Sequence, residues 1–202
     1  MNPDLLLVRK NTSDLGTWHD VFDEDKGYHL PPESVVKPDC IVDLGAYVGY
    51  TATDFAWKFP SATIIALEPN KQNFDRMKNN IWVAGFEPNI LAVNAGIGAR
   101  GGRGYVVGGH FNAMQVVPDD HGDIMIWGID FFENFPVDYM KMDIEGAEKE
   151  ILKRQSGWAD NIKCIKVELH NYDLGEAWND LEAIGFEVHR YENHPECLVG
   201  ER

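Results

Sequence analysis

Short apolar runs that alternate with segments of helical period are the feature that most limits how this chain folds. From residue 40 onward, strands are predicted at 40–44, 63–67, 90–94, 137–143 and 162–169. Their near-continuous apolar character is that of strands covered on both faces, as in a parallel sheet. A short helix is predicted at 51–59, stopped by Pro60. Phe74, Met77, Ile81 and Ala84 mark one helical face closed by Gly85, and Leu174, Trp178, Leu181 and Ile184 mark another ended by Gly185. A further helix is expected at 145–154, and runs at 186–191 and 196–199 flank Asn193-His194-Pro195 as a hairpin. The expectation is an α/β, Rossmann-like domain with a mostly parallel seven-stranded sheet, helices on both faces and a C-terminal antiparallel hairpin.

Two stretches stand outside the alternation. Residues 1–39 form a mixed preamble ending in Leu30-Pro31-Pro32, and residues 96–136 form a glycine-rich insertion. A chain of 202 residues fits one domain, 1–202, with these as cap and insertion. An apolar fraction of 44% and a charged fraction of 25% suit a soluble globular protein. No run approaches the roughly 18 apolar residues of a membrane span, and the N-terminus lacks a basic leader, so a cytoplasmic protein is expected. A net charge of −15 argues against nucleic acid as a partner. Cys40, Cys164 and Cys197, without metal spacing, are expected to be small packed side chains. Trp57, Trp127, Trp158 and Trp178 are expected in the core, although Trp127 falls in the insertion, where a pocket wall is open to it.

In an open parallel sheet, ligands bind at the carboxyl ends of the strands. Asp43-Leu44-Gly45-Ala46-Tyr47-Val48-Gly49 occupies the first such end. Gly45 permits a tight turn, while Tyr47 stands where a dinucleotide fingerprint needs glycine beside a pyrophosphate. A cofactor without phosphates fits better. Glu68 ends the second strand, where a carboxylate accepts ribose hydroxyls.

Asp43-x-Gly-Ala-x-x-Gly49, Leu67-Glu-Pro-Asn70, Lys141-Met-Asp-Ile-Glu-Gly-Ala-Glu148 and Val167-Glu-Leu-His170 together resemble the FkbM family of methyltransferases, over roughly residues 20 to 190. The resemblance implies the class I methyltransferase fold and S-adenosyl-L-methionine as cofactor. It implies transfer to a hydroxyl of a small-molecule acceptor such as a sugar or polyketide. Carried over by position, Asp43, Gly45, Ala46, Tyr47 and Gly49 would surround the methionine part and Glu68 would hold the ribose. Asn94 and Ala95 would border the adenine, and Tyr28 would cover the cofactor.

Asp143 and Glu145, where the fourth strand meets its helix, are candidate catalytic groups. Glu148 is expected only to complement the helix dipole. His170, ending the fifth strand, is the natural general base by its pKa class, with Asp143 the other choice. No metal is expected, although Asp143, Glu168 and Asn171 offer oxygen ligands to a divalent cation. Arg100, Arg103, His110 and Asn112 are the expected polar groups of an acceptor pocket. The rivals are an NAD-dependent oxidoreductase, since Glu68 also suits a nicotinamide nucleotide's ribose, and a non-catalytic cofactor-binding relative.

Overall fold

The computed structural model describes residues 2–23, 29–110, 113–191 and 194–202. In chain order the elements are α1 (Asp14–Phe22), β1 (Cys40–Leu44), α2 (Tyr50–Lys58), β2 (Thr63–Leu67), α3 (Lys71–Ala84), β3 (Ile90–Val93), β4 (Gly96–Gly98), β5 (Gly102–His110), β6 (Ala113–Pro118), β7 (Ile124–Gly128), β8 (Tyr139–Met142), α4 (Glu148–Leu152), β9 (Cys164–Glu168), α5 (Leu174–Ala183), β10 (Glu187–Arg190) and β11 (Cys197–Glu201). The main sheet has the order β10-β11-β9-β8-β1-β2-β3. β3, β2, β1, β8 and β9 run parallel, and β11 enters antiparallel between β9 and β10. The seven strands and the closing hairpin match expectation.

The period of two along the central strands sorts the core into two layers. Val42, Leu44, Ile65, Leu67, Met140, Met142, Ile165 and Val167 face one cluster with Trp158, Leu181 and Leu198. Ile41, Ile64, Ala66, Tyr139 and Cys164 face the other, against Phe55 of α2 and Met77 and Ile81 of α3. α3 begins at Asn70, whose side-chain oxygen accepts the N–H groups of Gln72 and Asn73. Asp173 caps α5 in the same way through Glu176 N–H. The second layer contains a polar row: Asp43, Lys141 and Lys166 stand in register on β1, β8 and β9. All three are buried.

Three cysteines are free; Cys164 and Cys197 are buried and Cys40 is partly so. Trp158 is fully enclosed, whereas Trp57 is half exposed. Trp127 packs against Phe131 in a tilted arrangement with ring centroids 4.6 Å apart. Among the described residues, no helix is long and apolar enough to cross a membrane.

One expectation is corrected. The helix foreseen at 145–154 shortens to Glu148–Leu152, because Glu145 (φ 59°) and Gly146 (φ 115°) take left-handed conformations and make a turn instead. The insertion is an ordered four-stranded sheet, β4-β7-β5-β6. Two of its glycines serve close packing. A Cβ on Gly122 would lie 2.1 Å from the Gly104 carbonyl oxygen, and one on Gly104 would lie 2.5 Å from that of Val117. Ile97 and Ile129 join this region to the main core. Overpacking of this kind costs about 1–3 kcal/mol. Gly122→Ala is therefore expected to lower the melting temperature by about 5 °C, measurable by calorimetry.

Candidate active site

The carboxyl ends of β1, β8 and β9 each pass into a strained turn. Tyr47 (φ 52°), Glu145 (φ 59°) and Asn171 (φ 53°) are three of the four described non-glycine residues with positive φ. Such conformations cost of order 1–3 kcal/mol each and gather where a site requires them. Beside them opens a cavity of about 460 Å³. Its floor is Gly45, Ala46 and Tyr47; β2 contributes Leu67, followed by Glu68. Ala95, Lys141, Asp143, Glu145 and Glu168 complete the main-sheet side.

Gly45 is required here by space as well as by φ (82°). A Cβ at that position would lie 1.7 Å from the Asp143 carbonyl oxygen, so β1 and β8 meet without room for a side chain. The amides of Gly45 and Ala46 both donate to Leu67 O, at 3.2 and 2.9 Å. Glu68 then closes the loop: its Oε2 accepts Tyr47 N–H at 2.9 Å and its Oε1 accepts Asn70 N–H at 2.8 Å. Burial pushes its carboxyl up to about 8, against those two amides.

The preamble contributes more than expected. Asp14, fully buried, accepts the Tyr47 hydroxyl at 2.6 Å, Arg9 N–H at 2.8 Å and the Arg9 guanidinium at 2.8 and 3.0 Å. Burial raises its pKa, but the bonds from Arg9 and Tyr47 outweigh that and leave it below the ordinary value. Arg9 also reaches Asn73 Oδ1 of α3 at 2.9 Å. This network brings Thr17 and Asp20 of α1 to the cavity wall. Neither position carries a motif, so long-range hydrogen bonding alone reveals them. Met114 and Val116 of β6, together with His194, also line the cavity and were not foreseen.

Behind the cavity, Lys141 Nζ lies 3.0 Å from Asp143 Oδ2 and 3.6 Å from Asp43 Oδ1. Burial pushes the Asp43 carboxyl up, and the Lys141 charge opposes it. His170 lies among four carboxylates. Its Nδ1 is 2.9 Å from Glu148 Oε1, and its Nε2 is 3.6 Å from Glu145, 3.8 Å from Asp143 and 3.9 Å from Glu168. Burial lowers the pKa of the ring, but the Glu148 bond and the surrounding acids outweigh it and raise it to about 9. A ring protonated at neutral pH holds no lone pair for an acceptor's proton, and His170 is outside the described lining. The arrangement therefore argues against the expected general base. Glu148, expected only at the dipole, instead accepts Ile144 N–H at 3.1 Å and fastens His170.

Other expected residues take different places. Asp43 is buried beneath the cavity, and Gly49 begins α2 against Met77. Asn94 is committed to the β2–α3 turn, donating to Glu68 O and Pro69 O at 2.8 and 3.0 Å. Tyr28, Asn112 and the His110 side chain lie outside the described residues. Arg100 and Arg103 are not in the described lining; Arg103 Nε donates to Gly122 O at 2.7 Å. Asp143, Glu168 and His170 each offer one ligand atom, all within 4.8 Å of one another.

The donor set fits a ribose-bearing cofactor without phosphates. Glu68 presents a carboxylate, the glycine turn leaves a cradle, and Lys141, the only lysine or arginine in the described lining, is engaged by two aspartates. A pyrophosphate would meet carboxylates here.

A main sheet of this order with such a cradle at its carboxyl edge defines a class I methyltransferase. The chain is similar to the precorrin-6y C5,15-methyltransferase of Geobacter metallireducens GS-15, with a TM-score of 0.59 and 14% identity over 100% of this chain and 97% of that one. It is similar to a methyltransferase FkbM from Methylobacillus flagellatus KT, with TM-score 0.55, 17% identity, and 98% and 56% coverage. An O-methyltransferase family protein from Burkholderia thailandensis gives TM-score 0.54, 9% identity, and 87% and 54% coverage. At these identities the likeness is one of fold, and the chain spans about half the length of the last two. No curated relative matches it. The methyltransferase FkbM domain matches residues 43–192, and the chain belongs to that family, whose cofactor is S-adenosylmethionine.

The position of Glu68 sets a pH dependence. Its raised pKa withdraws stability from the free protein as pH climbs from the ordinary 4.5 through about 8. A ligand whose hydroxyls donate to the carboxylate binds the ionised form, so affinity rises with pH, by at most about tenfold per unit, and levels off above about 8. Calorimetric titration of S-adenosylhomocysteine between pH 6 and 9 checks this. Glu68→Gln is expected to flatten the curve; a flat profile in the unsubstituted chain contradicts the assignment.

Proposed function

We propose that the protein transfers a methyl group from S-adenosylmethionine to a hydroxyl of a small molecule. The observation that carries this is the single cavity in which the glycine turn and Glu68 face Asp143 and Glu145. In this reading Gly45, Ala46, Tyr47 and Ala95 surround the cofactor, and Glu68 holds its ribose. When bound, the cofactor supplies an electrophilic sulfonium methyl: the acceptor oxygen's lone pair forms the new C–O bond while the C–S bond breaks with its pair onto sulfur.

Glu145 takes the hydroxyl proton. It lines the cavity, and burial, followed by the neighbouring acids, raises its pKa despite the opposing effect of His170. A carboxylate of raised pKa is the better base. Protonated His170 is a positioning residue, holding Glu145 and Asp143 by charge. Lys141 keeps Asp143 turned toward β1. Most of the rate enhancement comes from alignment of donor and acceptor by these walls. The preamble and the inserted sheet form the acceptor side, a reading supported by Thr17, Asp20, Met114 and Val116 in the lining. An oxidoreductase is disfavoured by the lack of a free lysine or arginine for a pyrophosphate in the described lining.

Calorimetry with S-adenosylhomocysteine tests the cofactor assignment: binding is expected, weakened at least about tenfold by Glu68→Ala, and no binding overturns it. Once an acceptor is in hand, Glu145→Gln is expected to lower kcat by about 10²–10⁴ while the dissociation constant for S-adenosylhomocysteine moves less than about threefold. Unchanged kcat would remove Glu145 from the reaction.

A further inference from the structure

Glu68, the carboxylate set against the cofactor's ribose, is aimed by two groups that both lead back to the N-terminal segment. The first is Tyr47, whose N–H donates to Glu68 Oε2 at 2.9 Å. Its φ of 52° is a conformation that a bulky residue keeps only when its surroundings hold it there. The second is Asn73 of α3. Its side chain acts by hydrogen bonding on the Glu68 carboxyl, and its Oδ1 accepts Arg9 Nη2 at 2.9 Å.

Tyr47 is held at the far end of its side chain. The hydroxyl donates to Asp14 Oδ1 at 2.6 Å, the length of a bond from a hydroxyl to an ionised carboxylate. Ser13 Oγ lies 3.0 Å from the same hydroxyl, and the Arg9 guanidinium carbon stands 5.6 Å from the ring centroid. The protonation states suit that direction of donation. Burial, followed by the Asp14 bond, pushes the Tyr47 phenol up to about 12, while Arg9 and Tyr47 hold Asp14 below its ordinary value despite burial. Arg9 and Asp14 are an ion pair at 2.8 Å. One branch from it reaches Glu68 through Tyr47, the other through Asn73.

The stretch that delivers this pair is firmly seated. Leu6 shares a buried cluster with Tyr47, Val48 and Tyr50. Leu7 N–H donates to Asn80 Oδ1 at 2.8 Å, and Leu7 O accepts the Tyr50 hydroxyl at 2.9 Å. Asn80 in turn donates to Val48 O, in the glycine turn itself, at 2.9 Å. Tyr47 and Asn73 line the cavity, whereas Arg9 and Asp14 are not in the described lining. Any influence of the pair on a ligand is therefore exerted through those two side chains.

We infer that Arg9 and Asp14 are positioning residues for the methyl donor, their ion pair holding Tyr47 and Asn73 so that Glu68 faces the ribose. This rests on the assignment of the cavity to S-adenosylmethionine, and it extends the determinants of donor affinity to residues outside the cavity wall.

Calorimetric titration with S-adenosylhomocysteine, on the full chain and on Tyr47→Phe, Asp14→Ala and the double variant, tests it. Tyr47→Phe removes one hydroxyl and leaves the Arg9–Asp14 pair and the seat of the segment in place. It is expected to weaken binding at least about fivefold, the scale of a hydrogen bond to a charged group, and Asp14→Ala at least as much. Both act through one bond, so the double variant is expected to bind within about twofold of Asp14→Ala alone. The pH profile supplies a second readout. Burial raises the Glu68 pKa, the Asn70 and Tyr47 amides and the Asn73 side chain lower it, and Asp43 adds to the rise. Freeing the Tyr47 amide therefore moves the rise in affinity to higher pH in both single variants, whereas a tie that merely fastened the segment would leave it in place. The inference is overturned if Tyr47→Phe binds like the unsubstituted chain, if the two losses simply add, or if the profile does not move. Absence of binding by the unsubstituted chain would instead overturn the cofactor assignment, and it is read before any variant is compared.

Discussion

Lys141 is the charge on which the centre of this sheet depends. It is almost wholly buried and faces Asp43 on one neighbour and Asp143 just past the end of its own strand. A buried carboxylate without a counter-ion costs several kcal/mol, so Asp43 is tolerable in the second layer only because β8 delivers an ammonium opposite it. That pairing operates where β1 and β8 approach so closely that only glycine fits at position 45. Register, cradle and acid wall are thus aspects of one contact between two strands.

The main sheet was legible because its signals are local and repeated. Apolar runs, helical faces and the stops at Pro60, Gly85 and Gly185 each act over a few residues, and they agreed with one another. The motif blocks located the carboxyl edge correctly, since Gly45, Tyr47, Glu68, Asp143 and Glu145 do share one cavity. The strands of the inserted sheet were not legible for a physical reason: Gly104 and Gly122 are close-packed by backbone drawn from distant positions, which no local pattern announces. The late start of α4 was not foreseen because glutamate is an ordinary helix former, and nothing local announces the left-handed turn at Glu145.

Histidine shows the same limit in electrostatic form. By residue type His170 belongs to the proton acceptors near neutral pH. Its state is set by Glu148, the first residue of α4, and by three further acids that the chain brings together only in three dimensions. Charge state is a property of surroundings, and sequence spacing does not list them.

The bond from Tyr47 to Asp14 has a consequence for the N-terminal segment. Tyr47 belongs to the loop that cradles the donor, yet its hydroxyl is anchored thirty-three positions earlier in the chain, in a carboxylate also gripped by Arg9. Order in the loop and docking of residues near 9–20 are therefore one equilibrium viewed from two ends. Thermodynamic reciprocity then applies: whatever steadies the loop tightens the grip on the segment, and whatever peels the segment away loosens the loop by the same free energy. A stretch with no recognisable motif thereby acquires a share in the affinity of a site to which most of its residues make no direct contact.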